Sequence, residues 1–352
     1  MAEEQKKKYT EINQLGEFGL IEHLTKDLKL KQPSTVKGVG DDAAVIKVEK
    51  DKFILLSTDM MVEGIHFDLT YTPLRHLGYK AVSANVSDIC AMNGEPSQIV
   101  VSLAISNQFS VESLDEIYKG IRFACEEYKV DLVGGDTTSS TSGLVISIAI
   151  LGSVDEKDIT YRSGAKIGDV VCVSGDLGAA YAGLLLLQKA KSDFSNDSSV
   201  KPDLAGYGYV LQRQLMPHAR TEIISLFKSF GVAPTSMIDI SDGLSSEINH
   251  LCKASGTGCI LYEDRLPINE ETDKVAKEFN SPAALFPLSG GEDYELLFTI
   301  SINDWKKLKE SNAVTAIGEI TDAADGICFQ DKSGMEHLIN PKGWDAFEKK
   351  PL

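Results

Sequence analysis

Apolar residues along this chain fall into two rhythms, short near-continuous runs and longer stretches at helical spacing, and their alternation predicts a protein of mixed helices and strands. Phe18, Ile21, Leu24 and Leu28 recur at helical intervals across 16–28, and a strand-like passage runs over 53–67. Helical periodicity returns over 74–92, followed by an apolar strand over 98–105. Ser110 stands where an N-cap belongs, ahead of Val111, Leu114, Ile117, Tyr118, Ile121 and Cys125 on one side of a helix. Leu132-Val133 running into Gly134-Gly135-Asp136, and the apolar run 144–154, read as further strands. The second half repeats the pattern, with strands expected at 169–173, 259–262, 294–300 and 314–320. Helices are expected there at 178–191, 221–230, 244–254 and 271–279, with a polar loop over 191–201.

The cluster Asp155-Glu156-Lys157-Asp158 is the first dense charge run after a completed α/β set, and it divides the chain into an amino-terminal domain, 1–155, and a carboxy-terminal domain, 156–352. Hydrophobic residues at 43% and charged residues at 25% are ordinary for a globular protein, so disorder is not expected away from the ends. The formal charge of −17 argues against non-specific binding to nucleic acid or anionic membrane, which needs a Lys/Arg surplus. It leaves room for anionic ligands if metal ions bring the positive charge. No apolar run approaches the ~18 residues of a membrane span, and Met1 to Tyr9 is rich in Glu and Lys, unlike a secretory signal. The expected location is cytoplasmic. Six cysteines without a C-x-x-C pair read as reduced core residues, and the histidines form no H-E-x-x-H zinc motif.

Five motifs set a glycine or small hydroxyl residue beside aspartate next to an apolar run. They are Gly40-Asp41-Asp42-Ala43-Ala44-Val45, Ser57-Thr58-Asp59, Asn85-Val86-Ser87-Asp88, Gly134-Gly135-Asp136-Thr137 and Asp239-Ile240-Ser241-Asp242-Gly243. Any one alone would serve as a turn, because Asp bonds its own backbone and Gly supplies positive φ. As a set they suit a hard divalent cation such as Mg²⁺, which takes oxygen ligands and shares its shell with substrate phosphates. Asp59 follows the run Phe53-Ile54-Leu55-Leu56, at the strand end where ligand crevices form. Asp88 interrupts an otherwise apolar helical stretch, where a carboxylate needs a partner. No Walker-type G-x-x-x-x-G-K-[ST] loop is present, and Leu244 stands where an EF-hand would require glycine. Gly175-Asp176-Leu177-Gly178 precedes a helix and offers backbone N–H groups to an anion, or is simply a strand-to-helix turn.

In order along the chain, eight segments resemble the thiamine-monophosphate kinase family, of the superfamily that includes aminoimidazole ribonucleotide synthetase. They begin with Gly16-Glu17-Phe18-Gly19-Leu20-Ile21, Gly40-Asp41-Asp42-Ala43-Ala44, the run from Ser57-Thr58-Asp59 to His66-Phe67, and Asn85-Val86-Ser87-Asp88-Ile89-Cys90-Ala91-Met92. Gly134-Gly135-Asp136-Thr137-Thr138, Arg162-Ser163-Gly164-Ala165, Ile238-Asp239-Ile240-Ser241-Asp242-Gly243-Leu244 and Leu288-Ser289-Gly290-Gly291-Glu292-Asp293-Tyr294-Glu295-Leu296 complete the set. The resemblance implies an α+β, two-domain aminoimidazole ribonucleotide synthetase-like fold. Its amino-terminal sheet would pair across a homodimer, beside a carboxy-terminal α/β domain, with active sites in clefts at the dimer interface. By position, Asp42, Ser57, Thr58, Asp59, Asp88, Asp136, Asp239 and Asp242 would hold several Mg²⁺ ions, with Asp42, Asp59 and Asp88 placing the catalytic clamp. Tyr118, Gly135, Asp136, Arg162 and Ser241 would contact ATP, and His66, Glu292 and Trp344 would face thiamine monophosphate. The implied activity is ATP-dependent phosphorylation of thiamine monophosphate to the diphosphate. Other ATP-dependent enzymes of the superfamily and a non-catalytic Mg-nucleotide-binding protein are the alternatives. Relatives that rely on an amino-terminal or terminal cysteine fit poorly, since the first cysteine is Cys90 and the chain ends Lys-Lys-Pro-Leu.

Overall fold

Residues 11–199 and 201–339 are described by the structure, a computed structural model, so Trp344 lies outside the described residues. The first sheet comprises β1 (Thr35–Lys37), β2 (Ala44–Glu49), β3 (Lys52–Val62), β4 (Glu95–Ile105), β5 (Asp131–Ser139) and β6 (Val145–Asp155). Their order across the sheet is β1-β2-β3-β6-β4-β5, antiparallel throughout except for the β4–β5 pair. Period-two patterning decides which face is covered. Phe53, Leu55 and Met61 of β3, Ile99, Val101 and Leu103 of β4, and Ile146, Ile148 and Ile150 of β6 are buried beneath the helices Leu74–Ala91 and Val111–Tyr128. The opposite face leaves Leu56, Met60, Val100 and Leu151 exposed.

The second sheet comprises β7 (Val170–Ser174), β8 (Ser236–Asp239), β9 (Gly258–Tyr262), β10 (Leu296–Ile300), β11 (Val314–Thr321), β12 (Ile327–Gln330) and β13 (Glu336–Leu338), in the order β13-β12-β9-β11-β7-β10-β8. Only β9 and β12 run parallel. β8 and β10 are buried along their whole length, which explains their unbroken apolar runs. The helix Leu74–Ala91 packs on β3 and β6 of one sheet and on β8 of the other. It is buried nearly all round for that reason, not on one stripe. Its Val86 and Ile89, with Met92 just past its end, share one core with Ile223, Phe227, Met237 and Phe298 of the carboxy-terminal half.

Most expected elements are present, Thr221–Phe230 among them, and Ser110 does cap its helix by accepting from the Ser113 N–H. The expected loop at 191–201 is instead helical to Asn196, since Lys191, Asp193 and Ser195 are solvent-facing residues a helix tolerates. The strand expected from 294 begins at Leu296, because Glu292 and Tyr294 adopt φ of 66° and 50° and break the extended run. In the helix Gly16–Thr25 no residue is buried, and Phe18, Ile21 and Leu24 stay exposed. Among the described residues no helix is long and apolar enough to cross a membrane.

The helices Leu74–Ala91 and Val111–Tyr128 touch through Gly78 and Gly120. A Cβ at Gly120 would collide with the Arg75 carbonyl, and one at Gly78 with that of Ile117. Gly120→Ala should therefore destabilise the protein, although alanine favours a helix by about 1 kcal/mol, because overpacking against backbone costs about 1–3 kcal/mol or more. A urea midpoint equal to or above that of the native protein would show that the helices separate freely.

Candidate active site

A cleft of about 1250 Å³ opens between the two sheets. Its floor is the helix Leu74–Ala91, which directs Lys80, Ala84 and Asp88 into it from successive turns. One wall is β3. Pairing of β2 to β3 ends at Ala44 opposite Leu56, so Ser57 to Val62 form an open strand edge around which the cleft passes. Ser57 and Asp59 lie in register with Ile150 and Ile148 on the helix side, whereas Leu56, Thr58, Met60 and Ala149 line the cleft from the outer face.

The other wall consists of two loops laid back to back. Glu292 donates its N–H to the Ser241 carbonyl at 2.7 Å, and a Cβ on Gly291 would collide with that carbonyl. Gly243, at φ 119°, would bring a Cβ to 3.0 Å from the Gly290 carbonyl. Glycine at these positions lets Asp239, Ser241, Asp242 and Glu292 share one surface. The Asp242 N–H is held at 2.9 Å by the buried carboxylate of Glu247.

Carboxylates converge at one end. One oxygen from each of Asp42, Asp88 and Asp239 lies within 4.8 Å of the others. The Ser57 hydroxyl donates to Asp88 at 2.6 Å, and the Ser87 hydroxyl donates to Asp239 at 2.6 Å. The Arg162 fork donates to both oxygens of Asp42, at 2.6 and 3.2 Å, and these charges hold the guanidinium's pKa up despite its burial. Burial first, then neighbouring carboxylates, push Asp239 up to about 7 and Asp88 well above the usual range. Asp59, pushed to about 6 by enclosure and by Glu17 and Asp42, keeps surface open to the cleft, so the deeper pair states the electrostatic problem more strongly. Like charges ~4 Å apart repel by about 4 kcal/mol at an effective dielectric of ~20. Clustered carboxylate oxygens in such a place suit a hard divalent cation.

The other end is more mixed. His66 accepts the Val62 N–H on Nδ1 at 3.0 Å, which places its ring proton on Nε2, and burial lowers its pKa so that it stays neutral near pH 7. Glu292 accepts from Lys80 Nζ at 2.7 Å and from Gln214 Nε2 at 2.8 Å. The other acids of its motif face inward. Asp293 accepts from the Gly178 N–H at 2.6 Å and the Ala180 N–H at 3.3 Å, so the anion at the Gly175–Gly178 turn is the protein's own. Glu295 is held by Arg213 at 2.9 Å, by Arg220 Nε at 2.6 Å and by Ser174 at 2.6 Å.

Thus Asp42, Ser57, Thr58, Asp59, His66, Asp88, Arg162, Asp239, Ser241, Asp242 and Glu292 all line one cleft. Tyr118, Gly135 and Asp136 do not. Tyr118 is half-buried on the helix Val111–Tyr128, and Gly135 and Asp136 lie within β5, not at a strand end. Asp136 falls in the outer-face row Met60–Ser147–Ser102–Asp136, across three strand spacings of about 4.8 Å each from the β3 edge. Lys80, Gln214 and Tyr71 line the cleft and were not anticipated; only Lys80 carried a signal, standing two helical turns before Asp88.

The family described as AIR synthase related protein, N-terminal domain, matches residues 40–154, and its C-terminal domain counterpart matches residues 166–329. The chain is 32% identical over 339 residues to a thiamine-monophosphate kinase of Bacillus subtilis, covering 95% of this chain and 100% of that one. It is 34% identical over 336 residues to a thiamine-monophosphate kinase of Aquifex aeolicus, covering 96% and 99%. A solved structure described as AaThiL complexed with AMPPCP and TMP superposes with a TM-score of 0.82 at 32% identity, over 96% of this chain and 99% of that one.

Proposed function

Because the chain belongs to the AIR synthase related family and, within it, to the thiamine-monophosphate kinases, we propose that its cleft transfers the γ-phosphoryl group of ATP to the phosphate of thiamine monophosphate, giving the diphosphate. The observation that carries this reading is the meeting of Asp42, Asp88 and Asp239 at one end of a cleft whose other end holds His66 and Glu292. The relative's complex with AMPPCP, an ATP analogue, and TMP supports both ligands.

The acceptor needs no strong base, because a phosphate monoester has its second pKa near 6 and is largely ionised at neutral pH. The obstacle is bringing two polyanions together. Asp42, Asp88 and Asp239, together with Asp59 and Asp242 of the same cleft, would hold Mg²⁺, which would supply the charge that offsets their repulsion. The protein's own part is orientation. Ser57 and Ser87 fix the carboxylates on which the cation depends. Arg162, clamped on Asp42 at the same end, adds a fixed positive charge for nucleotide phosphate. His66 presents an Nε2–H donor, and Glu292 an anion, to the acceptor.

We further infer that the working unit is a homodimer. Leu56, Met60, Val100 and Leu151 form an exposed apolar patch on a sheet face that the cleft reaches around the β3 edge. A second copy packed on that face, related by a two-fold axis, would bring its own Gly135 and Asp136 toward this cleft. That arrangement accounts for predicted nucleotide-site residues lying at the far side of their own chain's sheet.

The reaction is tested by following ADP release and product under identical Mg-ATP with thiamine monophosphate or free thiamine. The monophosphate should give kcat/KM at least ~100-fold higher, since thiamine brings only an un-ionised hydroxyl and leaves the phosphate-aligning contacts unmade. Comparable values for the two acceptors would refute the assignment.

A further inference from the structure

Lys80 is an unusual residue for its setting: an ammonium whose side chain is 4% exposed, in the middle of a helix that is buried nearly all round. Its Nζ has two partners, Glu292 Oε1 at 2.7 Å and the Gln214 carbonyl at 3.1 Å. Gln214 turns its side-chain amide to the second oxygen of the same carboxylate, at 2.8 Å. Glu292 therefore has both oxygens gripped from behind, on a residue whose backbone sits at φ 66°. The Glu292 side chain is 25% exposed, so from the cleft the carboxylate comes first and the ammonium lies beneath it. Tyr71 lines the same region, where burial first, then the charges of Asp68 and Glu292, raise its pKa.

Resting on the function proposed above, we propose that Lys80 is a positioning residue that sets acceptor specificity. It holds the Glu292 carboxylate as a fixed anion facing the positively charged ring of the acceptor, with Tyr71 offering an aromatic surface to the same ring. A carboxylate free to rotate would spend part of its attraction on being ordered when the acceptor binds; one already clamped does not. The clamp acts on the ring, away from the phosphates, so its loss is felt in acceptor binding more than in the chemical step.

The test is a steady-state comparison of the native enzyme with Lys80→Met, Lys80→Arg, Glu292→Gln and the double variant Lys80→Met/Glu292→Gln. Lys80→Met should raise KM for thiamine monophosphate about tenfold, the scale of one charge-assisted hydrogen bond, with kcat and KM for ATP changed less than about threefold. Lys80→Arg should recover part of the loss. In the Glu292→Gln background, adding Lys80→Met should have little further effect, because the group it positions is already gone. The inference is overturned by an unchanged acceptor KM in Lys80→Met, by equal rises for both substrates, or by effects that multiply in the double variant. If the native enzyme does not phosphorylate thiamine monophosphate, the proposed function fails first and the role of Lys80 falls with it.

Discussion

Asp88→Asn is expected to lower kcat by about 100- to 1000-fold, the scale of losing one preorganised electrostatic element, while making the metal-free protein harder to melt at pH 8. Both effects come from the same crowding. Asp88, Asp42 and Asp239 place oxygens within 4.8 Å of one another, and Asp239 is pushed up from its ordinary 3.8 to about 7. The folded protein thus holds protons that the unfolded chain releases between about pH 4 and pH 7. Stability rises with pH where the unfolded state binds more protons; here the folded state does, so metal-free stability falls as pH climbs through that window. Asparagine at 88 removes one of the repelling charges yet can still accept the Ser57 hydroxyl. Thermal melts in chelator at pH 5 and pH 8 should show the native protein losing stability at the higher pH, the variant losing less, and added Mg²⁺ restoring the native protein more than the variant. Near-native kcat in a folded variant would sink the assignment of Asp88. Equal native melting temperatures at pH 5 and 8 without metal would sink the electrostatic account.

Mixing two inactive variants is expected to restore activity. Asp88→Asn should disable the cleft of its own chain, whereas Asp136→Asn, in β5 at the distal edge of the sheet, should disable the cleft of a partner. Each alone should retain on the order of 1% of native turnover. Random exchange of subunits between equal amounts makes about half of the dimers hybrids, and each hybrid has one cleft with every residue intact, so the mixture should recover about a quarter of native activity. Turnover is measured after co-expression, with the separately purified variants as controls. A mixture no more active than the average of its parts would mean that Asp136 serves its own chain or none. A molecule that sediments as a monomer at assay concentration would remove the shared site altogether.

Much of this cleft was legible because charge stands out in apolar surroundings. Asp88 in a stretch of Ala, Val and Ile, and Asp59 after Phe53-Ile54-Leu55-Leu56, announce carboxylates that the fold has to accommodate. What sequence could not separate was the division of labour within one motif. Glu292, Asp293 and Glu295 stand within four positions, yet only the first faces the cleft, while the second caps a helix and the third binds two arginines. Those roles depend on Gly178, Arg213 and Arg220, which are far away along the chain. Lys80 escaped notice because its partner, Glu292, is more than 200 positions distant, and a lysine on a helix is by default a solvated one. The short elements β1, β8, β12 and β13, of three or four residues, have too few for a period to register.

The helix Leu74–Ala91 belongs to neither half of the molecule alone. Cutting the chain between Asp155 and Val170 would leave it with β3 and β6 but part it from β8, baring an apolar surface on each fragment. The division visible in the topology should therefore not be a division in cooperativity: with one core spanning both, the halves are expected to melt in a single transition. The width of the cleft is then set by this shared core when the chain folds, comparable to the gap of a fixed jaw.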